Sequence, residues 1–375
     1  MDALPDPTGA FAVHLLKTLC QDRPGDNVCI SPVSVAASLA MLLLGAEGST
    51  KAQMAQMLSV RAEKDIHRGF QSLLAKVSRP GGQYLLKMAN RLFGEKSCNF
   101  RSAFTEACRR LYQADLGQLS FASAADQATA YINNWVSKKT EGKIRELLTS
   151  DSISEQTKLV LVNAVYFKGR WEDPFDKTYT TEMPFRINQK EQRPAQMMFQ
   201  ESTFKLNYVE EIRTQILELP YVQKELSMVI LLPDDDVDLT WVEDQLTFEN
   251  LQAWTRPGCM QSTEVEVVLP RFRLAEDYSL EAVLPRLGMV DAFEGGLADF
   301  SALADPGNLC LSAFVHKTWL EVNEEGTEAA AASGVDIEED CGVELPQFCA
   351  DHPFLFFIVH QETHSILFCG RFCSP

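Results

Sequence analysis

Residues 324–346 read EEGTEAAAASGVDIEEDCGVELP, and this stretch decides the fold. Thr327, Ala329, Ala331, Ser333, Val335 and Ile337 are small or apolar and fall at every second position. Between them stand Glu328, Ala330, Ala332, Gly334, Asp336, Glu338 and Asp340, polar once past the alanines. Alternation with period two is the pattern of a strand that buries one face. The same stretch holds Gly326, Gly334, Gly342, Pro346 and eight acidic residues, the composition of an exposed loop. A segment written for both states is expected to be a switch rather than a fixed connector.

Around it lies a chain of 375 residues, 46% hydrophobic, 23% charged and 9% aromatic, which can bury a large core. No linker rich in Gly, Ser or Pro divides it, so one domain over residues 1–375 is expected. The net charge of −18 disfavours nucleic acid and anionic membranes as partners. It favours fast encounter with a basic protein, and it also simply keeps the chain soluble. The start, MDALPDPTGAFAVHLL, lacks a basic region and an apolar core of signal type, and the longest uncharged run, near Val35 to Ala46, is too short to span a bilayer. Ten cysteines are scattered without a framework spacing, and no Asn-x-Ser/Thr occurs. A cytoplasmic protein with reduced thiols is the simplest expectation, with the nucleus as the alternative, for or against which no basic cluster is long enough to argue.

Taken in order, Phe11, Leu15, Leu16 and Leu19 mark one face of a first helix. Ser31-Pro32 reads as a helix start with a cap hydroxyl, followed by an apolar helix to Gly45 that must be buried all round. Another helix is expected from Ser49 or Thr50, a strand over Tyr84 to Phe93, and a helix over Asp126 to Leu148 carrying Ile132, Trp135 and Val136. From Lys158 the texture becomes β: LVLVNAVYF, TQILELPY, LSMVILLP, EVEVVLPRFRL and PFLFFIV. LLPDDDVDL breaks this run as a solvated turn. Its aspartates echo a calcium loop, but Leu239 stands where Gly is needed.

No GxGxxG, P-loop, GxSxG, CxxC pair or HExxH occurs, so no cofactor or metal is expected and the chain does not read as an enzyme. His360 and His364 fall in a hairpin turn, where helical ligand spacing has no force. Asn163 and His316 each lie inside an apolar strand, and Ser31 and Ser34 at the entry of a buried helix. Buried polar groups need partners, and these four can satisfy one another.

Three long motifs then carry a resemblance: NAVYFKGRWEDPF (163–175), VHKTWLEVNEEGTEAAAAS (315–333) and FCADHPFLFFIVHQETHSILFCGRF (348–372). They resemble the serpin signatures, in the same order and across essentially the whole chain. The missing signal and sequons resemble the ovalbumin-type intracellular branch. The resemblance implies an α+β serpin fold with three β-sheets, eight or nine helices and an exposed reactive-centre loop at about 324–346. It implies suicide inhibition of a protease: the loop is cut, forms an acyl-enzyme, and inserts into the main sheet, trapping a covalent 1:1 complex with a monomeric inhibitor. Glu324, Gly326, Thr327, Ala329, Ala330, Ala331 and Ala332 would form the hinge. Ser31, Ser34, Asn163 and His316 would form the shutter that gates the sheet, with Trp171 where the loop first enters.

Family spacing after Gly326 puts the cut between Asp340 and Cys341, with Ile337, Glu338, Glu339 and Gly342 as recognition residues. A protease accepting Asp must place a cation in its pocket, because an unpaired buried carboxylate is strongly unfavourable. Granzyme B, a basic serine protease, resembles the expected target. Asp-specific cysteine proteases, the caspases, are the first alternative. A non-inhibitory serpin acting as a binding or chaperone module is the second, although Thr327 and the alanines show no bulky block to insertion.

Overall fold

The computed structural model describes residues 7–59, 63–79, 84–305, 309–326 and 345–375. Eight α-helices lie among them: α1 (Pro7–Asp22), α2 (Pro32–Leu43), α3 (Gly48–Met57), α4 (Glu63–Val77), α5 (Ser102–Tyr112), α6 (Phe121–Lys139), α7 (Leu239–Gln245) and α8 (Phe248–Thr255). The strands are β1 (Val28–Ile30), β2 (Tyr84–Glu95), β3 (Asn99–Phe100), β4 (Gly117–Leu119), β5 (Leu159–Gly169), β6 (Thr181–Asn188), β7 (Glu191–Val209), β8 (Thr214–Pro220), β9 (Leu226–Pro233), β10 (Gln261–Pro270), β11 (Phe272–Leu274), β12 (Asp277–Ser279), β13 (Ala304–Asp305), β14 (Leu311–Val322), β15 (Gln347–Cys349), β16 (Phe354–His360) and β17 (Ser365–Phe372). They form three sheets, of six, nine and two strands, as the sequence leads one to expect.

The six-stranded sheet runs β11-β14-β5-β2-β4, with β12 also on β14. Its centre is β5, and the parity of LVLVNAVYF sorts that strand between two cores. Leu159, Leu161, Val165 and Phe167 join the main core, to which α2 also belongs. Val160, Val162, Ala164 and Tyr166 join a smaller core with Phe121, Ile132 and Val136 of α6. Burial on both faces explains why the strand reads as an unbroken apolar run. All twelve residues of α2 are buried, the state its composition demands.

Two local expectations need correction. Ser31 precedes α2, but its hydroxyl does not cap the helix. The N–H groups of Ser34 and Val35 already donate to the Ser31 carbonyl, and Pro32 has none, so the hydroxyl is free to donate to Leu367 O at 2.7 Å. The helix expected over Asp126 to Leu148 ends at Lys139, and at its start a short turn from Phe121, set off by non-helical backbone at Ala124, precedes the regular helix within Phe121–Lys139. Glu95 fixes its start, the carboxylate accepting the N–H groups of Phe121 and Ala122 at 2.7 and 3.0 Å. Left-handed backbone at Glu141 and Gly142 ends it, and Ile144, Leu147 and Leu148 pack on the smaller core from a loop. In the aspartate turn, Asp234 and Asp236 pair with Arg213, and Asp238 caps α7.

Glu95 is only 7% exposed, so Glu95→Ala strands two helix N–H groups. Urea unfolding is expected to show a loss of about 1–3 kcal/mol, with Glu95→Gln losing less. An unchanged midpoint would contradict this anchoring of α6.

Candidate functional site: seam, shutter and hinge

The seam is the parallel pairing of β14 with β5, running from Leu311↔Leu159 to Leu320↔Phe167, with a bulge between Leu311 and Ala313 and unbroken register from Ala313↔Val160 onward. Half-way along it His316 sits opposite Asn163, and Asn163 sits opposite Asn90 of β2. Three adjacent strands thus carry a polar side chain in one row. Asn163 and His316 are fully buried.

The row is closed by α2. His316 Nε2 accepts the Ser31 N–H at 3.1 Å, so the ring's other nitrogen, Nδ1, carries the proton and donates to Asn163 Oδ1 at 2.6 Å. Asn163 Nδ2 in turn reaches Ser34 Oγ at 2.9 Å, Ser38 Oγ at 2.8 Å and Asn90 Oδ1 at 2.6 Å. Ser34 and Ser38 are one turn apart, which puts both hydroxyls on the sheet-facing side of α2. Thr318, two residues beyond His316, donates to Cys29 O at 2.8 Å. The imidazole must be neutral to accept from Ser31, and burial pushes its pKa down to about 3. Ser31, Ser34, Asn163 and His316 therefore meet as the sequence led one to expect. Asn90 and Ser38 were missed. Asn90 carries only part of the signal that singled out Asn163: it is the one amide in its strand, but Lys87 and Arg91 share that strand with it.

The segment expected to serve as the hinge begins where β14 ends. Trp171 is 2% exposed, stacked on Tyr221 with ring centroids 4.5 Å apart. Its indole N–H donates to Asn323 O at 2.9 Å and its backbone N–H to Glu325 O at 3.2 Å. The Phe175 N–H donates to Glu324 O at 2.8 Å. Glu324 is itself buried, accepting from Thr180 Oγ1 at 2.9 Å with Arg271 at 3.7 Å, while Glu325 pairs with Lys177. Gly326 has φ +78, and a Cβ there would lie 2.4 Å from Trp171 N and 2.6 Å from Gly169 O. Two backbone segments touch at this point, so glycine is required for space as well as for conformation.

Thr327, Ala329, Ala330, Ala331, Ala332, Ile337, Glu338, Glu339, Asp340, Cys341 and Gly342 lie outside the described residues. The described chain resumes at Leu345 and enters β15, which pairs with β10 in the nine-stranded sheet. One further cluster, Asp235, Asp351 and His352, could hold a cation, but Arg186 already occupies it, bonding Asp235 at 2.7 Å and Asp351 at 2.9 Å.

The description "Serpin (serine protease inhibitor)" matches residues 7–375. The chain is 62% identical to Serpin B9 of Homo sapiens and 54% identical to Serpin B6 of Macaca fascicularis, over the full length of each pair. Uncleaved ovalbumin superposes with a TM-score of 0.92 at 33% identity, covering both chains completely. The chain belongs to the serpin family. It is a protease inhibitor and not itself an enzyme.

Because the native His316 pKa lies below the ordinary value of 6.5, the opened or unfolded chain takes up this proton first. Native stability is therefore unaffected above about pH 7.5 and falls as pH drops below 6.5, by about 1.4 kcal/mol at pH 5.5 from this group. His316→Gln is expected to be less stable at neutral pH yet to lack that slope. Urea midpoints between pH 7.5 and 5.5 with equal slopes in both proteins would refute the assignment.

Proposed function

We propose that the chain is an intracellular suicide inhibitor of an Asp-cutting serine protease of the granzyme B type, cut between Asp340 and Cys341. The observation that carries this reading is the sequence Ile337-Glu338-Glu339-Asp340 on the segment between the hinge and β15. The 62% identity to Serpin B9 agrees with it.

The seam supplies the mechanism. A cut segment leaving β14 at Gly326 reverses direction, so it can enter the seam only antiparallel to both β14 and β5. One parallel ladder is then replaced by two antiparallel ones, which are slightly more stable per residue. Thr327, Ala329, Ala331, Ser333, Val335 and Ile337 fit the buried row, and Glu328, Asp336 and Glu338 the solvent row. Ladder bonds contribute about 1 kcal/mol each, and ordering a residue costs about as much, so the surplus must come from the body of the fold. A closed seam held by shutter bonds is where such a metastable state would be stored. The protease, still acylated, would be carried along by the moving segment. A basic enzyme would meet a chain of net charge −18 quickly. All nine described cysteines are free, and burial raises the thiols of Cys29 and Cys108 to about 12, a state suited to a reducing compartment.

Incubation with granzyme B is expected to give an SDS-stable 1:1 complex and a released fragment beginning at Cys341, both abolished by Asp340→Ala. A stable complex with caspases but none with granzyme B would transfer the reading to cysteine proteases. A fragment with any other first residue would overturn the assigned bond.

A further inference from the structure

A cleft of about 1230 Å³ runs along β2, bounded by α4, α5 and the C-terminal end of α6. Three features mark it. The first is charge. In a chain with 52 acidic and 34 basic residues, seven basic side chains line the cleft, among them Arg79, Lys87, Arg91 and Lys139, against two acidic ones. Both acids are already engaged, Glu141 with Lys87 at 3.2 Å and Asp115 with Arg109 at 2.8 Å. Gathering like charges is unfavourable unless a ligand of opposite sign offsets it.

The second is backbone. β2 pairs with β5 from Tyr84 to Gly94, but on its other side β4 reaches only Phe93 to Glu95. Among the described residues the outer edge from Tyr84 to Leu92 has no strand partner, leaving a row of N–H and C=O groups along the cleft. The third is the lining itself, where Leu74, Leu86, Met88 and Leu111 supply apolar surface. The volume exceeds that of a typical small-molecule pocket.

Arg91 joins these features. Its guanidinium lies 5.0 and 5.4 Å from the ring centroids of Phe93 and Trp135, and Nη2 donates to Leu116 O at 3.3 Å. Its Nε is buried with no hydrogen-bond partner among the described residues. The two rings hold the guanidinium of this cleft-lining residue in place.

We propose that this cleft binds an extended acidic peptide segment of a partner protein, which adds as a strand to the free edge of β2. Main-chain bonds to the edge would give affinity and alternate side chains would give selectivity, one row on the apolar lining and the other on the cations. The partner segment should therefore alternate acidic and apolar residues. A sulfated polysaccharide could use the cations but neither the edge nor the apolar lining.

The test uses the intact full chain and a fluorescein-labelled peptide of six Glu-Val repeats, followed by anisotropy. Saturable binding is expected. It should weaken at least roughly tenfold in a Lys138→Glu/Lys139→Glu double variant whose melting temperature is unchanged, and vanish when alternate peptide nitrogens are methylated. Absence of saturable binding overturns the proposal. So does equal binding of the methylated peptide, which means charge attraction without strand addition, or indifference to the charge reversal, which places the peptide elsewhere. Binding of dextran sulfate in place of the peptide overturns it in favour of a polyanion site. No protease is present, so failure here leaves the inhibitor reading standing.

Discussion

The fold turns on one hydrogen bond between neighbouring strands, from His316 on β14 to Asn163 on β5. A parallel pair in mid-sheet is ordinarily held by its ladder and its apolar faces alone. Here the two strands are also cross-linked through a polar row that continues to Asn90 on β2 and to Ser31, Ser34 and Ser38 at α2. Separating β14 from β5 breaks the His316–Asn163 bond and leaves a buried donor and a buried acceptor unpaired, while the bonds of Asn163 to α2 and β2 and of His316 to Ser31 stay on their own sides.

The two cores reinforce this arrangement from opposite sides. The larger one places α2 against the inner face of β5 and β14, and the smaller one lays α6 across the outer face. α6 is tied at its start by Glu95 and along its length by Asn133, whose side chain bonds the backbone of Leu147 and Leu148. At the end of the seam the chain leaves β14 through Asn323 to Gly326, pressed against Trp171 so closely that no side chain fits at 326. A segment that departs there starts beside the gap it would have to enter.

Much of this was legible in the sequence because it follows from short-range rules. Asn163 and His316 stand out as polar residues in apolar strands, and the parity of β5 sorts its residues correctly between two cores. Asn90 escaped notice because Lys87 and Arg91 beside it make the strand look like a polar edge. The Ser31 hydroxyl was misassigned because it donates to Leu367 O, a partner far along the chain that no local rule reveals, while the Ser31 carbonyl takes the N–H groups of Ser34 and Val35. The bounds of α6 were misjudged because Ile144, Leu147 and Leu148 are apolar for packing in a loop, which no periodicity separates from a helix face. The basic cleft was invisible in one dimension: its cations come from β2, the end of α6 and the segments around them, and only the fold brings them together.

The most direct measurement is the melting temperature of the chain before and after a single cut between residues 340 and 341. If the native state is metastable and the freed segment fills the seam between β14 and β5, the cut chain should melt higher by roughly 10 °C or more, on the order of 10 kcal/mol for a chain of this size. A cut chain that melts at or below the temperature of the intact one would mean that the seam never opens, and the inhibitory mechanism built on it would be wrong.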